Sequence, residues 1–270
     1  MFAIRKILAN VGIALASILG AILIHFDFIY ISLASAAIFI FISILSYIRL
    51  PEIYVQTQHI PFESMWRTVI KDRHFVTFTL ITIGYYFMYM QLFLTIPIHA
   101  VQITNHPQAV SLVLLLFSFT IILCQYFISK WMTRFELIFT LKLGFGLMGI
   151  GLVLLGSTNF LSLFICGMLL FSFGVMISEP TTFDLISRFA KPALMASYYG
   201  FASLGMALGG GLSQGLGGGI LQIGVQNNFP SLLWWCTGFV ALLSIVGLHF
   251  LGKSMGSHNP PASVGTLKAE

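Results

Sequence analysis

Long apolar runs alternate with short polar stretches along the whole chain, and the lysines and arginines set the rhythm. Four intervals, 7–48, 74–129, 143–187 and 192–252, contain no Lys or Arg at all. A helix needs about 20 residues to cross a hydrocarbon core of about 30 Å. Each interval therefore holds two crossings and one short turn. This pattern predicts spans near 7–25, 28–48, 75–98, 109–129, 137–156, 160–186, 195–218 and 231–252. A transmembrane barrel is excluded, because the runs are too long and lack alternation with period two. The predicted fold class is an all-α integral membrane protein with eight transmembrane helices.

Lys and Arg accumulate on the cytoplasmic side of membrane proteins, so both termini are expected there. The outer turns then fall near 25–27, 99–108, 157–159 and 222–230, which carry Asn, His, Asp and Pro in place of basic residues. Two polar stretches remain. The linker 51–73 contains Trp66, Val69 and Ile70 interleaved with Arg67 and Lys71, which suits a short helix lying on the membrane surface. The tail 253–270 is rich in Gly, Pro and Ser and is expected to be disordered.

Composition agrees with a membrane setting. The chain is 58% hydrophobic and 8% charged, with a mean hydropathy of +0.96, where a soluble domain carries about 25% charged residues. The net charge of +5 sits in loops between apolar runs, so a nucleic-acid partner is not expected. Cys124, Cys166 and Cys236 each lie in an apolar run without metal or disulfide spacing. Arg5 and Lys6 before an apolar stretch imitate a signal peptide, but the stretch is nearly long enough to span and seven more follow, so it is read as a retained first span. No cofactor or metal motif occurs, and no catalytic constellation supports an enzyme. His99 and His106 are expected on the outside, at a spacing without meaning for a metal.

An internal repeat stands out at an offset of 193 residues. The segment 10–20 aligns with 203–213, pairing Gly12 with Gly205, Ala14 with Ala207, Leu15 with Leu208 and Leu19 with Leu212. If spans one and two repeat as spans seven and eight, spans three to six have no partner in the chain. Parallel repeats are a known transporter architecture. The sequence then reads as a twelve-span protein without its first four spans: 1–50 the end of one half, 51–73 a cytoplasmic linker and 74–252 a complete second half.

The segment 2–20, with Arg5, Lys6, Asn10, Gly12 and Gly20, resembles the fifth-helix motif of major facilitator drug:proton antiporters. Gly84-Tyr-Tyr-Phe-Met-Tyr-Met-Gln91 with Pro97, Ser178-Glu179-Pro180, and Ser197-Tyr-Tyr-Gly-Phe-Ala-Ser-Leu-Gly205 resemble the seventh, tenth and eleventh helices of a multidrug-resistance branch of that family. The resemblance runs over roughly residues 1–252 and implies helices five to twelve of the major facilitator fold. It also implies proton-coupled export of small amphipathic or hydrophobic molecules across the bacterial inner membrane. The partners implied are the substrate, the lipid bilayer and, if the gene is split, a separately encoded N-terminal fragment. A membrane fragment without transport activity is the other reading.

Helical faces single out working residues. Thr77, Gly84, Met88, Gln91 and Thr95 share one face of the third span. A polar stripe in a lipid-bathed helix turns inward, so Met88, Gln91 and Thr95 are candidate substrate contacts; helix–helix hydrogen bonding through Gln91 is the alternative. Tyr85, Tyr86 and Tyr89 lie on another face and are read as packing or interfacial. Glu179 lies in an apolar helix with Met168, Ser172 and Met176 on its face. An ionisable group at membrane depth is costly and marks a proton or substrate path. Glu179 is therefore a candidate for proton coupling and, with Met176, for substrate binding; Asp184 is a second coupling candidate. The alternative is structural pairing with Arg188. Pro180 frees a backbone carbonyl one turn earlier. The glycines of the seventh span sit inside a helix, so Gly205 and Gly209, like Gly12 and Gly20 in the first, are read as packing or hinge positions and not as a phosphate loop.

Overall fold

The computed structural model describes residues 2–23, 28–49, 62–157 and 159–256. These form ten α-helices: α1 (Phe2–Leu23), α2 (Phe28–Arg49), α3 (Phe62–Lys71), α4 (Arg73–Met90), α5 (Thr95–Thr104), α6 (Ala109–Met132), α7 (Leu137–Gly156), α8 (Leu161–Phe189), α9 (Met195–Gln226) and α10 (Leu232–Gly256). The expected turn at 25–27, the linker residues 51–61 and the tail beyond residue 256 lie outside the described residues. Among the described residues, six segments are long and apolar enough to cross a bilayer: Ile29–Arg49, Arg73–Thr104, Ala109–Met132, Leu137–Gly156, Leu161–Phe189 and Leu232–Met255. The first and seventh expected spans do not join them. α1 qualifies only as the shorter apolar stretch Ile7–Ala16. α9 is long enough at 32 residues, but its glycines, serines and glutamines dilute its apolar character.

The third span departs most from expectation. It runs from Arg73 to Thr104, not from 75 to 98, and it is broken. α4 ends at Met90, a 3-10 turn covers Gln91–Phe93, and α5 restarts at Thr95. Leu94 at the break has φ −129° and ψ −70°, and Pro97 sits within the first turn of α5, where its missing N–H costs no helical bond. Because the helix continues, His99 is not an outer-loop residue. It is buried, its Nε2 lies 3.1 Å from the Leu155 carbonyl oxygen, and its ring sits beside Phe164 and Trp234. The turn that follows is shorter than expected and is closed by Asn105 in the left-handed region, φ 56°.

Two other local features tie the bundle together. Asp72 caps α4, its Oδ1 accepting from Phe75 N at 3.1 Å, while its Oδ2 accepts from the Tyr198 hydroxyl of α9 at 3.1 Å. The amphipathic linker segment does form a helix, α3. Val69 is buried, Trp66 meets Phe201 with ring centroids 5.3 Å apart, and Ser197 donates to the Met65 sulfur at 3.3 Å.

α7 and α8 pack backbone against backbone, through glycines spaced seven apart on both helices. A Cβ on Gly151 would lie 2.6 Å from Phe171 N and 2.7 Å from the Gly167 carbonyl oxygen. A Cβ on Gly174 would lie 2.6 Å from both the Gly144 carbonyl oxygen and Met148 N. Small residues allow such approach where lipid supplies no hydrophobic drive for helix association. α10 leans on α7 and α4, α9 on α4, and α1 on α6. The buried core draws on residues 69–251, whereas no described residue of α2 is buried.

Candidate functional site

Glu179 lies on α8, one residue before Pro180, and α8 remains helical through both. Proline has no N–H to give to the carbonyl four residues back, which here is Met176. The structure fills that vacancy from a neighbouring helix: Gln125 Nε2 of α6 donates to the Met176 carbonyl oxygen at 3.2 Å and to Ser129 Oγ at 2.9 Å. Gln125 is fully buried. A buried carbonyl left unpaired costs about 1–3 kcal/mol, so Gln125 is the residue that makes Pro180 tolerable at this depth. Sequence reading recognised the freed carbonyl but not its partner, because nothing local links residue 125 to residue 176.

Glu179 is half-buried, and its charge acts on three phenols of α4, those of Tyr85, Tyr86 and Tyr89. Tyr85 is the buried member. Its ring stacks on Phe145 of α7 at 5.6 Å and on Tyr89 at 6.0 Å, with Tyr86 edge-on at 4.9 Å. The Tyr85 hydroxyl is buried and has no hydrogen-bond partner among the described residues. Tyr86 and Tyr89 are half-buried. Glu179 and the three tyrosines thus share one electrostatic neighbourhood. A carboxyl group accepts hydrogen bonds from phenols when ionised, and it can hold a proton where water is scarce.

The polar stripe on α4 goes elsewhere. Gln91 and Thr95 are fully buried and satisfy each other, Thr95 Oγ1 donating to Gln91 Oε1 at 2.6 Å. They lie against α9, where a Cβ on Gly217 would sit 3.5 Å from Gln91 Oε1. Gly84 faces Ser244 of α10, and Thr77 is exposed. Met88 is fully buried in the core, as is Met176 on α8. The Gln91 side chain thus bonds within its own span, accepting from Thr95 Oγ1 and donating to the Phe87 carbonyl oxygen at 3.4 Å. Tyr85, Tyr86 and Tyr89, read as packing or interfacial residues, lie within electrostatic reach of Glu179. Their spacing of three and four residues was the available signal; which neighbour they met was not visible.

Asp184 stands apart from Glu179, about 7.5 Å further along α8. It pairs with Arg188 at 3.3 Å and lines a cavity of about 420 Å³ with Ser129, Thr133, Glu136 and Thr140 at the α6–α7 turn. Arg188 therefore serves Asp184, one turn before it, while Glu179 keeps company with the tyrosines. Gly205 and Gly209 press on α4: a Cβ on Gly205 would lie 2.7 Å from Thr82 Oγ1, and one on Gly209 would lie 2.8 Å from Tyr86 Cβ. Gly12 does not share that role, since a Cβ there meets no atom within 4 Å. The surroundings of Gly20 lie outside the described residues. Asn10 is fully buried on α1, which packs on α6 and touches α8, and it was not singled out as a working residue from sequence. Among the described residues, no group of three His, Cys, Asp or Glu side chains is placed to hold a metal ion.

Comparison with known proteins places this bundle. The chain is 31% identical over 244 residues to "Multidrug resistance protein MdtH" of Photorhabdus laumondii, covering 89% of this chain and 60% of that protein. It is 32% identical over 261 residues to the protein of that name from Edwardsiella ictaluri, covering 94% of this chain and 64% of the relative. For the Sodalis glossinidius protein the identity is 30% over 236 residues, covering 87% and 58%. The chain thus spans about 60% of the length of the curated relatives it matches. The profile of the Major Facilitator Superfamily matches residues 1–214 and again 101–266, two overlapping matches that take in the broken third span, the glycine-packed pair α7–α8 and the helix that carries Glu179. This multi-pass membrane chain belongs to the Major Facilitator Superfamily, a family of transporters and not of enzymes.

Proposed function

We propose that the chain takes part in proton-coupled export of small amphipathic molecules, with Glu179 as the proton-binding group. The observation that carries this is the half-buried carboxyl of Glu179 in an otherwise apolar bundle, within electrostatic reach of Tyr85, Tyr86 and Tyr89. A carboxyl group that alternates between proton and substrate couples the two without any further chemistry. Aromatic faces beside a carboxylate suit a flat or cationic amphipathic solute. The names of the relatives, which are multidrug resistance proteins, agree with a substrate of broad character. In this reading Gln91 and Thr95 fix the broken helix that holds the tyrosines, and Met88 and Met176 give the neighbouring core adaptable packing.

The test is export of ethidium from an efflux-deficient bacterium. The chain is supplied alone and, in a second arm, joined to the segment of the Edwardsiella ictaluri relative that the alignment leaves out. Export that collapses with a protonophore in either arm supports the reading. Abundant membrane-inserted protein with no export in both arms contradicts it.

The same reading places residues 1–50 and 74–252 in the two halves of the transporter, with 51–73 crossing between them on the cytoplasmic side of a bacterial inner membrane. The distribution of Lys and Arg supports that orientation. Single cysteines introduced at 105–108 and 227–230, in a background without the native three, should react with an impermeant thiol reagent on intact cells, while those at 133–135 and 190–192 should be shielded. The reverse labelling would invert the topology.

A further inference from the structure

One cavity on the described surface lies away from Glu179. It is a groove of about 1330 Å³ between α4, α9 and α10, larger than the few hundred to about 1,000 Å³ of most small-molecule sites. Its floor is made by close contact of α4 with α10, where Gly84 meets Ser244 and a Cβ on Gly247 would lie 3.0 Å from Ile81 Cγ1. Its walls are large apolar side chains turned outward: Leu80 is 61% exposed, Trp235 55% and Phe250 65%.

Polarity is confined mainly to one end. The pairings of Gly84 with Ser244 and of Ile81 with Gly247 show that the two helices run antiparallel. Continuing that register brings Arg73 and His74 level with Ser254, and all three line the groove, with Thr77 one turn inward. Lys253 is exposed beside them. No carboxylate among the described residues pairs with Arg73. The neighbouring Asp72 is held by Phe75 N and the Tyr198 hydroxyl. From Arg73 to Phe87 the groove follows α4 for about 21 Å, longer than the roughly 15 Å half-thickness of a hydrocarbon core.

We propose that this groove holds one anionic phospholipid, its head group on Arg73 and His74 and an acyl chain along the floor formed by Gly84, Ser244 and Gly247. The occupant is argued from charge complementarity at one end and apolar length at the other. Proton coupling at Glu179 is not needed for this site, so the two can fail independently; the reading of orientation decides only that the lipid comes from the cytoplasmic leaflet.

The experiment is native mass spectrometry of the purified 270-residue chain in detergent, titrated with equal amounts of dioleoyl phosphatidylglycerol and dioleoyl phosphatidylcholine. One phosphatidylglycerol should be retained per chain in preference to phosphatidylcholine. Arg73→Gln should cut phosphatidylglycerol retention about fivefold, since a basic residue near an anionic head group is worth about that factor, and leave phosphatidylcholine unchanged. Thr77→Trp, at an exposed position on the groove wall where folding is not at stake, should reduce both lipids. Arg134→Gln, outside the groove, should change neither. Equal retention of the two lipids, an Arg73→Gln effect no larger than that of Arg134→Gln, or full retention in Thr77→Trp would each overturn the proposal.

Discussion

A leucine at Gly151 should leave little folded protein. The obstacle facing a side chain there is backbone, Phe171 N at 2.6 Å and the Gly167 carbonyl oxygen at 2.7 Å from the Cβ position alone, and backbone cannot rotate out of the way. Overpacking a well-packed site typically costs about 1–3 kcal/mol; a leucine wedged between two helices at contact distance should reach about 3 kcal/mol or more, a large share of a marginal stability. The glycine-spaced pair α7–α8 is also the middle of the bundle, with α10 and α6 packed against it, so separation there propagates. Gly211→Leu is the matched control, because a Cβ at Gly211 meets nothing within 4 Å, and surface changes of that kind stay within about 0.5 kcal/mol. Detergent-solubilised Gly151→Leu should show a lowered unfolding midpoint and aggregate on size exclusion while Gly211→Leu elutes as the parent does. Equal behaviour of the two variants would mean that the close crossing of α7 and α8 is not what holds the bundle.

Much of the architecture was legible because bilayer thickness and basic residues constrain a membrane chain so tightly. The fifth span was expected at 137–156 and α7 runs Leu137–Gly156. The short helix at Phe62–Lys71 was visible from the alternation of Trp66, Val69 and Ile70 with charged residues. Hydropathy could not reveal the break at Gln91–Leu94, because both sides of it are equally apolar; only the unwound backbone shows that the third span is two helices. The same smoothness put His99 in a loop, when it is buried against the Leu155 carbonyl.

The candidate site was half legible. Glu179 announced itself as a lone carboxyl in an apolar run, and that argument needs no neighbours. The helical wheel of the third span set Gln91 and Thr95 apart from the tyrosines. It could not say which neighbouring helix each side chain met. That choice depends on how helices far apart in sequence pack, and here it is set by the glycines of α9, Gly205 and Gly209, which draw α4 against them. The Gln125 bond to the Met176 carbonyl spans 51 residues of sequence and is of the same kind: a consequence of Pro180 that only packing can satisfy.

The second large effect belongs to Glu179. Glu179→Gln keeps the size and hydrogen-bonding reach of the side chain and removes its ability to exchange a proton. In whichever arm of the ethidium assay exports, Glu179→Gln should reduce gradient-driven export to the background of empty cells with unchanged protein abundance in the membrane. Asp184→Asn should retain export, because Asp184 stands in an ion pair with Arg188 outside the tyrosine cluster. The most direct measurement follows the proton itself. The chain reconstituted in lipid nanodiscs is cycled in pH, and the infrared difference band of a protonated carboxyl shielded from water is recorded for the parent, Glu179→Gln and Asp184→Asn. The account predicts one such band, lost in Glu179→Gln and kept in Asp184→Asn. A band that survives Glu179→Gln, or that disappears with Asp184→Asn instead, would contradict the assignment of proton binding to Glu179.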